Sequence, residues 1–523
     1  GHPLNRKGPE TRLTTTPFMD LIPPTRQPRE GSSASLNGMT HAQVLLREYA
    51  RATNMLIAGR RFVTSDPELA SLLEAFGAQV TPQPSGKGTT GLETVFDLSD
   101  QARPHPGAIT VVAPSGTFEG VYSPDGSPIS GPGDPERIAW ARSLMPVTEA
   151  AVRRIGHLLP GRRIGLALVL EPKTAALALM LAEAGAEVSV FGHASETRDD
   201  VADALRRAGL KVFADSHATL EQEEALARDF LAENNEYLLD DGSHLIRMAH
   251  DPGRAPTALS ALRGAAEETT SGLRPLRHFP LQIPVIASND ARSKTLFDNA
   301  YGTGQSCWTT ILDIIDPAKI GAPIPGMKIG VIGYGDVGKG CARFGRALGG
   351  KVSVVELDPV RALQARMDGF TVASLSEVAA RANMLISATG EPSTIPLNAL
   401  EALPENAIVT VAGGVVGEVE FEQALATGWT LSEAADPHVQ RLTDPKGKSL
   451  RLLEKGEGIN YTAGEGNPIE IMDMSFGVQV AALTELLTCG EELSPGLHNL
   501  PSHADDAVSR AALDALRGTG NAQ

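Results

Sequence analysis

Lys294 and Asp298 stand four residues apart, the spacing that puts two side chains on one face of a helix. The pair reads in two ways. On a surface it is an ion pair worth about 0.3–0.5 kcal/mol. In a cleft among carboxylates it is a lysine able to accept and donate a proton. The pattern alone leaves both open. The surroundings are rich in the same chemistry. Asn289-Asp290 follows an apolar run read as a strand, Pro284–Ala287, and Asn299 follows Asp298. Asp240-Asp241-Gly242 follows another strand, Tyr237–Leu239. Glu267-Glu268-Thr269-Thr270-Ser271-Gly272 is a dense run of acceptors and hydroxyls. A polar turn is the plain alternative for the first of these runs, and a helix cap with solvated acids for the second.

A second constellation is Lys328-Ile-Gly-Val-Ile-Gly-Tyr-Gly-Asp-Val-Gly-Lys-Gly340. An apolar run, Ile329–Ile332, turns through Gly333, Gly335 and Gly338 into a helical run, Cys341–Leu348. The first glycine makes the tight turn, the second admits a pyrophosphate to the backbone, and the third lets helix pack on strand. The helix start offers free N–H groups and a positive dipole end to phosphates. The next strand, Lys351–Val355, ends in Glu356, about 20 residues on, where an acid can bond a ribose 2′-hydroxyl. A carboxylate there repels a 2′-phosphate, so the reading is NAD, with Arg361 keeping NADP open. A bare glycine motif also fits a turn with no ligand. Strand, helix, second strand and terminal acid together make it a dinucleotide site.

These residues need a scaffold that brings strand ends together. From Ile138 onward strand and helix alternate: Arg163–Leu170, Thr174–Ala184, Glu187–Phe191, Asp199–Ala208, Lys211–Ala214, Leu220–Ala232 and Tyr237–Leu239. Such alternation predicts a mainly parallel sheet with helices on both faces and ligands beyond the carboxyl ends of its strands. Before it, a small α/β unit is expected. It has helices at Ala42–Thr53 and Pro67–Phe76, strands at Arg61–Ser65, Ala78–Thr81, Thr94–Leu98 and Ala108–Ala113, and a loop at Gly120–Asp134. That unit carries no catalytic constellation and reads as structural or partner-contacting. Residues 1–38, rich in Pro, Ser, Thr, Gly and Arg, read as a disordered arm.

The chain of 523 residues allows two or three domains. Its net charge of −17, without a basic block, argues against a nucleic-acid partner. Cys307, Cys341 and Cys489 are too scattered in sequence for a metal spacing or a disulfide framework, which fits a reducing cytoplasm and no metal. No apolar run is long enough to span a membrane, and no signal pattern opens the sequence.

The two constellations together resemble the S-adenosylhomocysteine hydrolase family. The likeness is carried by Leu262-Arg263-Gly264 with Glu267–Gly272, by Ser293-Lys294-Thr295-Leu296-Phe297-Asp298-Asn299, and by Tyr301-Gly302-Thr303-Gly304-Gln305-Ser306. Gly335–Ala342 with Glu356, Asp358-Pro359 and Ala362-Leu363-Gln364-Ala365 is similar to that family's cofactor signature, and Ile138–Ala141 with Leu144–Val147 resembles its opening helix. The likeness runs from about residue 136 to about 513.

The resemblance implies an α/β fold: a substrate domain with an inserted Rossmann NAD-binding domain, both doubly wound, plus an extra small N-terminal lobe. The expected divisions are arm 1–38, lobe 39–135, substrate domain 136–304, NAD-binding domain 305–465 and a return to the substrate domain over 466–523. It further implies a nucleoside substrate and a homo-oligomer, dimer or tetramer. The family oxidises a nucleoside 3′-hydroxyl with tightly held NAD, removes the acidified C4′ proton, expels a 5′ thiol, adds water and restores the alcohol. Lys294 would then assist loss of the 3′-hydroxyl proton, Glu268 and Asp298 would hold the ribose and the lysine, and Asp241 would serve proton transfer near C4′ and C5′. Asn289 matches a catalytic-site asparagine, Thr269, Thr270, Ser271 and Asn299 match NAD contacts, and Asn460 matches a nicotinamide contact. Gly333, Gly335, Asp336, Val337, Gly338 and Glu356 complete the implied cofactor site.

The departures fall on one side of the chemistry. The family's His-Met-Thr strand end reads Val169-Leu170-Glu171 here, before Pro172-Lys173-Thr174. Its Gly-His-Phe-Asp is Gly413-Gly414-Val415-Val416, and its Gly-His-Pro is Gly466-Asn467-Pro468. Its Cys-Asn-x-x-Ser-Thr-Gln segment is replaced by His193-Ala194-Ser195-Glu196-Thr197-Arg198-Asp199. The acid after the paired aspartates is His244, and Arg361 stands where an asparagine follows the Glu-x-Asp-Pro turn. The lysine- and tyrosine-bearing tail has no match in Arg517–Gln523. Redox and ribose residues persist while those near C5′, water and the base change. A decayed enzyme would lose both sets alike, so altered substrate or altered C5′ chemistry is the expectation. The alternatives are a nucleoside natural-product enzyme adding a non-water nucleophile, such as carbon, and a non-catalytic NAD-binding regulator of hydrolase relatives. Glu171, Lys173, His193 and His244 read either as new contacts or as ordinary polar surface residues.

Overall fold

Short apolar strands followed by helices with one apolar stripe bury themselves best as parallel sheets covered on both faces. A computed structural model describes residues 39–84, 93–315, 323–414 and 417–517, and shows this arrangement. The arm 1–38, Val415-Val416 and the tail beyond Arg517 lie outside the described residues.

Three sheets form among the described residues. One sheet has seven parallel strands in the order Gly496–Asn499, Pro284–Ala287, Gly264–Glu267, Tyr237–Asp240, Arg163–Ala167, Glu187–Phe191 and Lys211–Phe213. The chain leaves the sheet's first strand in sequence, Arg163–Ala167, in one direction for the next two strands and then crosses to the other side for Tyr237–Asp240. That reversal opens a crevice outside the carboxyl ends, where open α/β sheets bind ligands. A second sheet runs Thr371–Val372, Lys351–Val355, Lys328–Ile332, Met384–Ser387 and Ile408–Val411 in parallel, then Ser449–Leu453, with Val439–Thr443 and Thr430–Glu433 antiparallel at the far edge. Its reversal lies between Lys328–Ile332 and Met384–Ser387, directly above the glycine turn. The third sheet, from Gln79–Thr81 to Gly120–Tyr122, belongs to the N-terminal unit.

The N-terminal unit is welded to its neighbours. Leu45, Tyr49, Phe62 and Phe76 share one apolar cluster with Trp308, Val331 and Phe344. The Phe76 and Phe344 rings stack at 4.5 Å, Gln43 donates to the Leu348 carbonyl at 3.0 Å, and Arg60 pairs with Glu470 at 2.6 Å. Phe344 lies on the helix that begins at the glycine turn, so this unit braces the cofactor-side helix from behind. Truncating Phe76 to alanine removes a fully buried ring and is expected to cost about 3–5 kcal/mol. Calorimetry checks this, and an unchanged unfolding temperature would refute the bracing role.

Several boundaries depart from the sequence expectation. The Gly120–Asp134 stretch is not all loop, because Gly120–Tyr122 pairs antiparallel with Ile109–Val112 and closes that sheet's edge. The strand from Arg163 ends at Ala167, and Leu170 makes only an isolated bridge to Thr197. The helix after the glycine turn starts at Asp336 rather than Cys341. Cys307 and Cys341, distant in sequence, are both buried and interact as free thiols.

Candidate active site

The lysine sits on a short, tightly anchored element. Asp505, from the C-terminal helix Ser502–Arg517, accepts from the backbone N–H groups of Arg292 and Ser293 at 2.7 and 2.9 Å and so caps the turn Arg292–Lys294. The following segment, Thr295–Gly302, is a π-helix, a wider turn found often at functional sites. Its width lets residues four and five positions on face the lysine together. Lys294 Nζ reaches Asp298 Oδ2 at 3.0 Å, Asn299 Oδ1 at 3.0 Å and Asn289 Oδ1 at 3.1 Å. An ammonium has three protons to give, and all three have acceptors. The lysine and aspartate side chains are 3% and 8% exposed, which removes the surface ion-pair reading. Burial works against the lysine's charge, but Asp298 and Glu268 outweigh it and hold its pKa above the ordinary value.

Around this ammonium the strand ends deliver carboxyl groups. Glu268, just beyond the strand Gly264–Glu267, is buried, bonded to Gln479 through Oε2, and has no partner for Oε1 among the described residues. Burial pushes its pKa to about 8, although Lys294 pulls it down, so it is protonated at neutral pH. Asp241 is raised by burial to about 6, opposed by Lys294 and His193, and stays mostly ionised. Asp240 and Glu196 are each raised to about 7, first by burial. Glu267 is held well above the usual carboxylate range by burial and by Asp240 and Asp241, and accepts from Gly242 N–H and from both the N–H and hydroxyl of Thr269. Thr269 caps the helix Thr270–Leu276, and Thr270 accepts from Asn289. Ser271 donates to the Thr269 hydroxyl at 3.3 Å.

The structure thus brings Asp241, Glu268, Asn289, Lys294, Asp298, Asn299 and Thr269–Ser271 to one sheet edge. Gly333, Gly335, Asp336, Val337, Gly338 and Glu356 form a second group at the neighbouring sheet's edge. Thr295 ties the two by donating to Asp336 at 3.2 Å. Asn460 accepts from Gly413 N–H at 3.2 Å and donates to Asn467, which in turn bonds Asp298.

Two polar residues that sequence reasoning left out hold the site. Gln479 clamps Glu268, and Asn467 clamps Asp298. A glutamine inside the otherwise apolar run Phe476–Leu483 of the helix Ile469–Cys489 was the available signal for the first. Glu171 and Lys173 are not ordinary surface residues. They are 6% and 1% exposed, pair at 2.8 Å, and Lys173 also donates to the Glu465 carbonyl at 2.8 Å. Glu171 caps the helix Pro172–Glu183. Glu171 borders a cavity of about 250 Å³ that Glu196, Arg198, Tyr461 and Glu465 also line. His193 is partly buried and His244 exposed, with ring centroids 5.2 Å apart.

The glycine turn fits a dinucleotide. Gly333 has φ +94°, and a Cβ there would press on the Ala388 carbonyl at 3.0 Å. A Cβ on Gly338 would collide with the Gly333 carbonyl. At Gly335 a Cβ meets only the Arg361 guanidinium, 3.8 Å away, so the glycine leaves an open approach rather than satisfying a packing need. Glu356 accepts from the N–H groups of Tyr334, Leu357 and Asp358 at 2.6, 2.7 and 2.9 Å, which turns its carboxylate toward the glycine loop. An open cradle at a helix start beside a fixed acid is the donor set a pyrophosphate and an adjoining ribose need.

Comparison with known proteins agrees. Residues 300–466 match the sequence model of the S-adenosyl-L-homocysteine hydrolase NAD binding domain. Adenosylhomocysteinase of Thermotoga maritima is 36% identical over 391 residues, covering 73% of this chain and 94% of that protein. S-inosyl-L-homocysteine hydrolase of Methanopyrus kandleri is 35% identical over 395 residues, covering 73% and 90%. Adenosylhomocysteinase of Thermococcus kodakarensis is 36% identical over 392 residues, covering 74% and 91%. With the glycine cradle and the Lys294 cluster already in place, these identities over most of both chains make the protein a member of the S-adenosylhomocysteine hydrolase family, with NAD as its cofactor.

Proposed function

We propose that the protein is an NAD-dependent hydrolase of a 5′-thio-substituted nucleoside, S-adenosylhomocysteine or a base variant such as S-inosylhomocysteine. The observation that carries this reading is the buried Lys294 with its three protons held by Asp298, Asn289 and Asn299. Bound NAD, held by Gly333–Gly338, Glu356, Thr269–Ser271, Asn299 and Asn460, supplies oxidation at C3′ and restores the alcohol at the end. Lys294 Nζ takes the 3′-hydroxyl proton as it passes one of its own to Asp298. Protonated Glu268 donates to a ribose hydroxyl. Asp241, ionised and near neutrality in pKa, removes the proton from C4′ and later returns it.

The test incubates the NAD-loaded protein with S-adenosylhomocysteine in D₂O. Deuterium at C4′ with free homocysteine is the expected result. Deuterium without homocysteine points to the second reading, in which a nucleophile other than water adds at C5′. The changed residues on that side, Glu196 and Asn467 among them, favour it. No deuterium with NAD bound would sink S-adenosylhomocysteine as substrate, and S-inosylhomocysteine is then the next probe.

A further inference from the structure

We propose that His193, aimed by Glu223, is the catalytic acid–base at C5′: it protonates the leaving sulfur and then takes the proton of the entering water. This rests on the hydrolase reading above.

The dyad is built, not incidental. Gly192 ends the strand Glu187–Phe191 where a Cβ would strike Thr197 and Leu170, so the chain passes close to both and delivers His193 at the sheet's carboxyl edge. Glu223, on the helix Leu220–Ala232, grips it with both oxygens. Oε1 lies 2.9 Å from His193 Nδ1, and Oε2 accepts the Ala194 N–H at 2.7 Å. The Thr197 hydroxyl holds the His193 carbonyl at 2.7 Å. Phe191 and His244 pack edge-on at 5.1 and 5.2 Å and fix the ring plane. A carboxylate on Nδ1 leaves Nε2 as the working nitrogen. Nε2 is buried and has no hydrogen-bond partner among the described residues.

The charges facing the ring come from every side. They are Glu223 from its helix, Glu196 from the adjoining turn, Asp240 and Asp241 from the end of their strand, and His244 from the helix His244–Ala249, where Arg247 lies beside it. Burial opposes a charged His193, but Glu223, Glu196 and Asp240 outweigh it and raise its pKa to about 9. Burial, His193 and Arg247 push His244 down to about 4. At neutral pH the pair therefore holds one proton in excess, on His193. The His193 ring lies 5.2 Å from that of His244, which follows Asp241 by three residues beyond the strand Tyr237–Asp240, so the dyad stands at the same carboxyl edge as the proposed C4′ base.

The step balances. Asp241 takes the C4′ proton, the C4′–H electron pair becomes the C4′–C5′ double bond, and the C5′–S pair leaves on sulfur. His193 Nε2–H protonates that sulfur and becomes neutral. Water oxygen then bonds to C5′, its proton goes to Nε2, and Asp241 returns its proton to C4′. Thiol and 5′-hydroxyl result, with both residues restored.

His193→Gln and Glu223→Gln in the NAD-loaded protein, with S-adenosylhomocysteine as probe, separate the halves. His193→Gln is expected to slow thiol release about 100-fold, a typical loss for a positioned acid, while C4′ deuterium exchange stays within about threefold. In wild type, thiol release relative to C4′ deuterium exchange, a ratio in which the Asp241 and Glu268 titrations cancel, should hold below pH 9 and fall above it as the ring loses its proton. Glu223→Gln removes the bond that favours the charged ring, so that limb should move about one unit lower. The ring's ¹³C–¹H titration in the ligand-free protein should move with it, which needs no turnover. Unchanged thiol release in His193→Gln, or release and exchange falling together, overturns the proposal. A wild type that shows neither signal with S-adenosylhomocysteine or with S-inosylhomocysteine overturns the nucleoside reading, and the inference falls with it.

Discussion

Replacing Lys294 with methionine is expected to slow nucleoside-dependent reduction of the bound cofactor, read at 340 nm in a single turnover, by about a thousandfold. The size follows from the surroundings. The ammonium serves three acceptors at 3.0–3.1 Å, so its loss orphans Asp298, Asn289 and Asn299 at once. It also removes the group that pulls the Glu268 and Asp241 pKa values down, so both carboxyls rise further and Asp241 becomes a poorer base at neutral pH. Leaving Asp298 as a buried, unpaired charge should cost about 3–5 kcal/mol of stability, which a thermal melt reads beside the kinetics. The glycine cradle is untouched, so bound NAD should stay near the wild-type level. Parent and variant that both bind NAD and both leave it oxidised would instead favour a regulator that binds NAD without turning over a nucleoside.

What could be read from the sequence was what is encoded locally. Leu220–Ala232, Pro284–Ala287 and Lys351–Val355 form where apolar spacing and bounding turns put them, because those signals need no partner. The helix start at Asp336 was missed since three glycines, Gly335, Gly338 and Gly340, argue against helix by propensity. Tertiary contact overrides them: a Cβ on Gly340 would strike the Ala300 carbonyl and approach the Gly304 Cα at 3.2 Å, so the glycines allow two backbones to touch. The strand Gly120–Tyr122 hid in a Gly/Pro/Ser-rich stretch because an edge strand of three residues carries almost no periodicity. For the site, the residues were visible and their burial was not. Lys294 and Asp298 give the same pattern on a surface or in a cleft. Lys173 becomes buried through the Glu465 carbonyl, and Glu268 is clamped by Gln479, contacts 292 and 211 residues apart that no local rule reaches. His193 and Glu223 belong to the same class, 30 residues apart and joined only when strand and helix pack.

Gly335→Ala offers the second large effect and separates packing from ligand approach. Gly335 has φ −73°, which alanine adopts without strain, and its added methyl meets no protein atom closer than the Arg361 guanidinium at 3.8 Å. The NAD-free protein should therefore melt as the parent does. The methyl nevertheless stands where the backbone must meet the pyrophosphate. Losing that contact and the N–H bonds behind it is expected to weaken NAD binding about 100-fold, about 2.8 kcal/mol, by calorimetric titration of cofactor-stripped protein. Gly338→Ala makes the contrast. Its methyl collides with the Gly333 carbonyl, so it should lower the melting temperature with or without NAD. If Gly335→Ala bound NAD like the parent, the cradle would not hold the pyrophosphate, and Glu356 and the helix start would have to be assigned another ligand. If it destabilised the NAD-free protein as Gly338→Ala does, both glycines would serve packing alone. Only the split outcome, one variant failing at the ligand and the other at the fold, matches a loop whose glycines divide the two tasks.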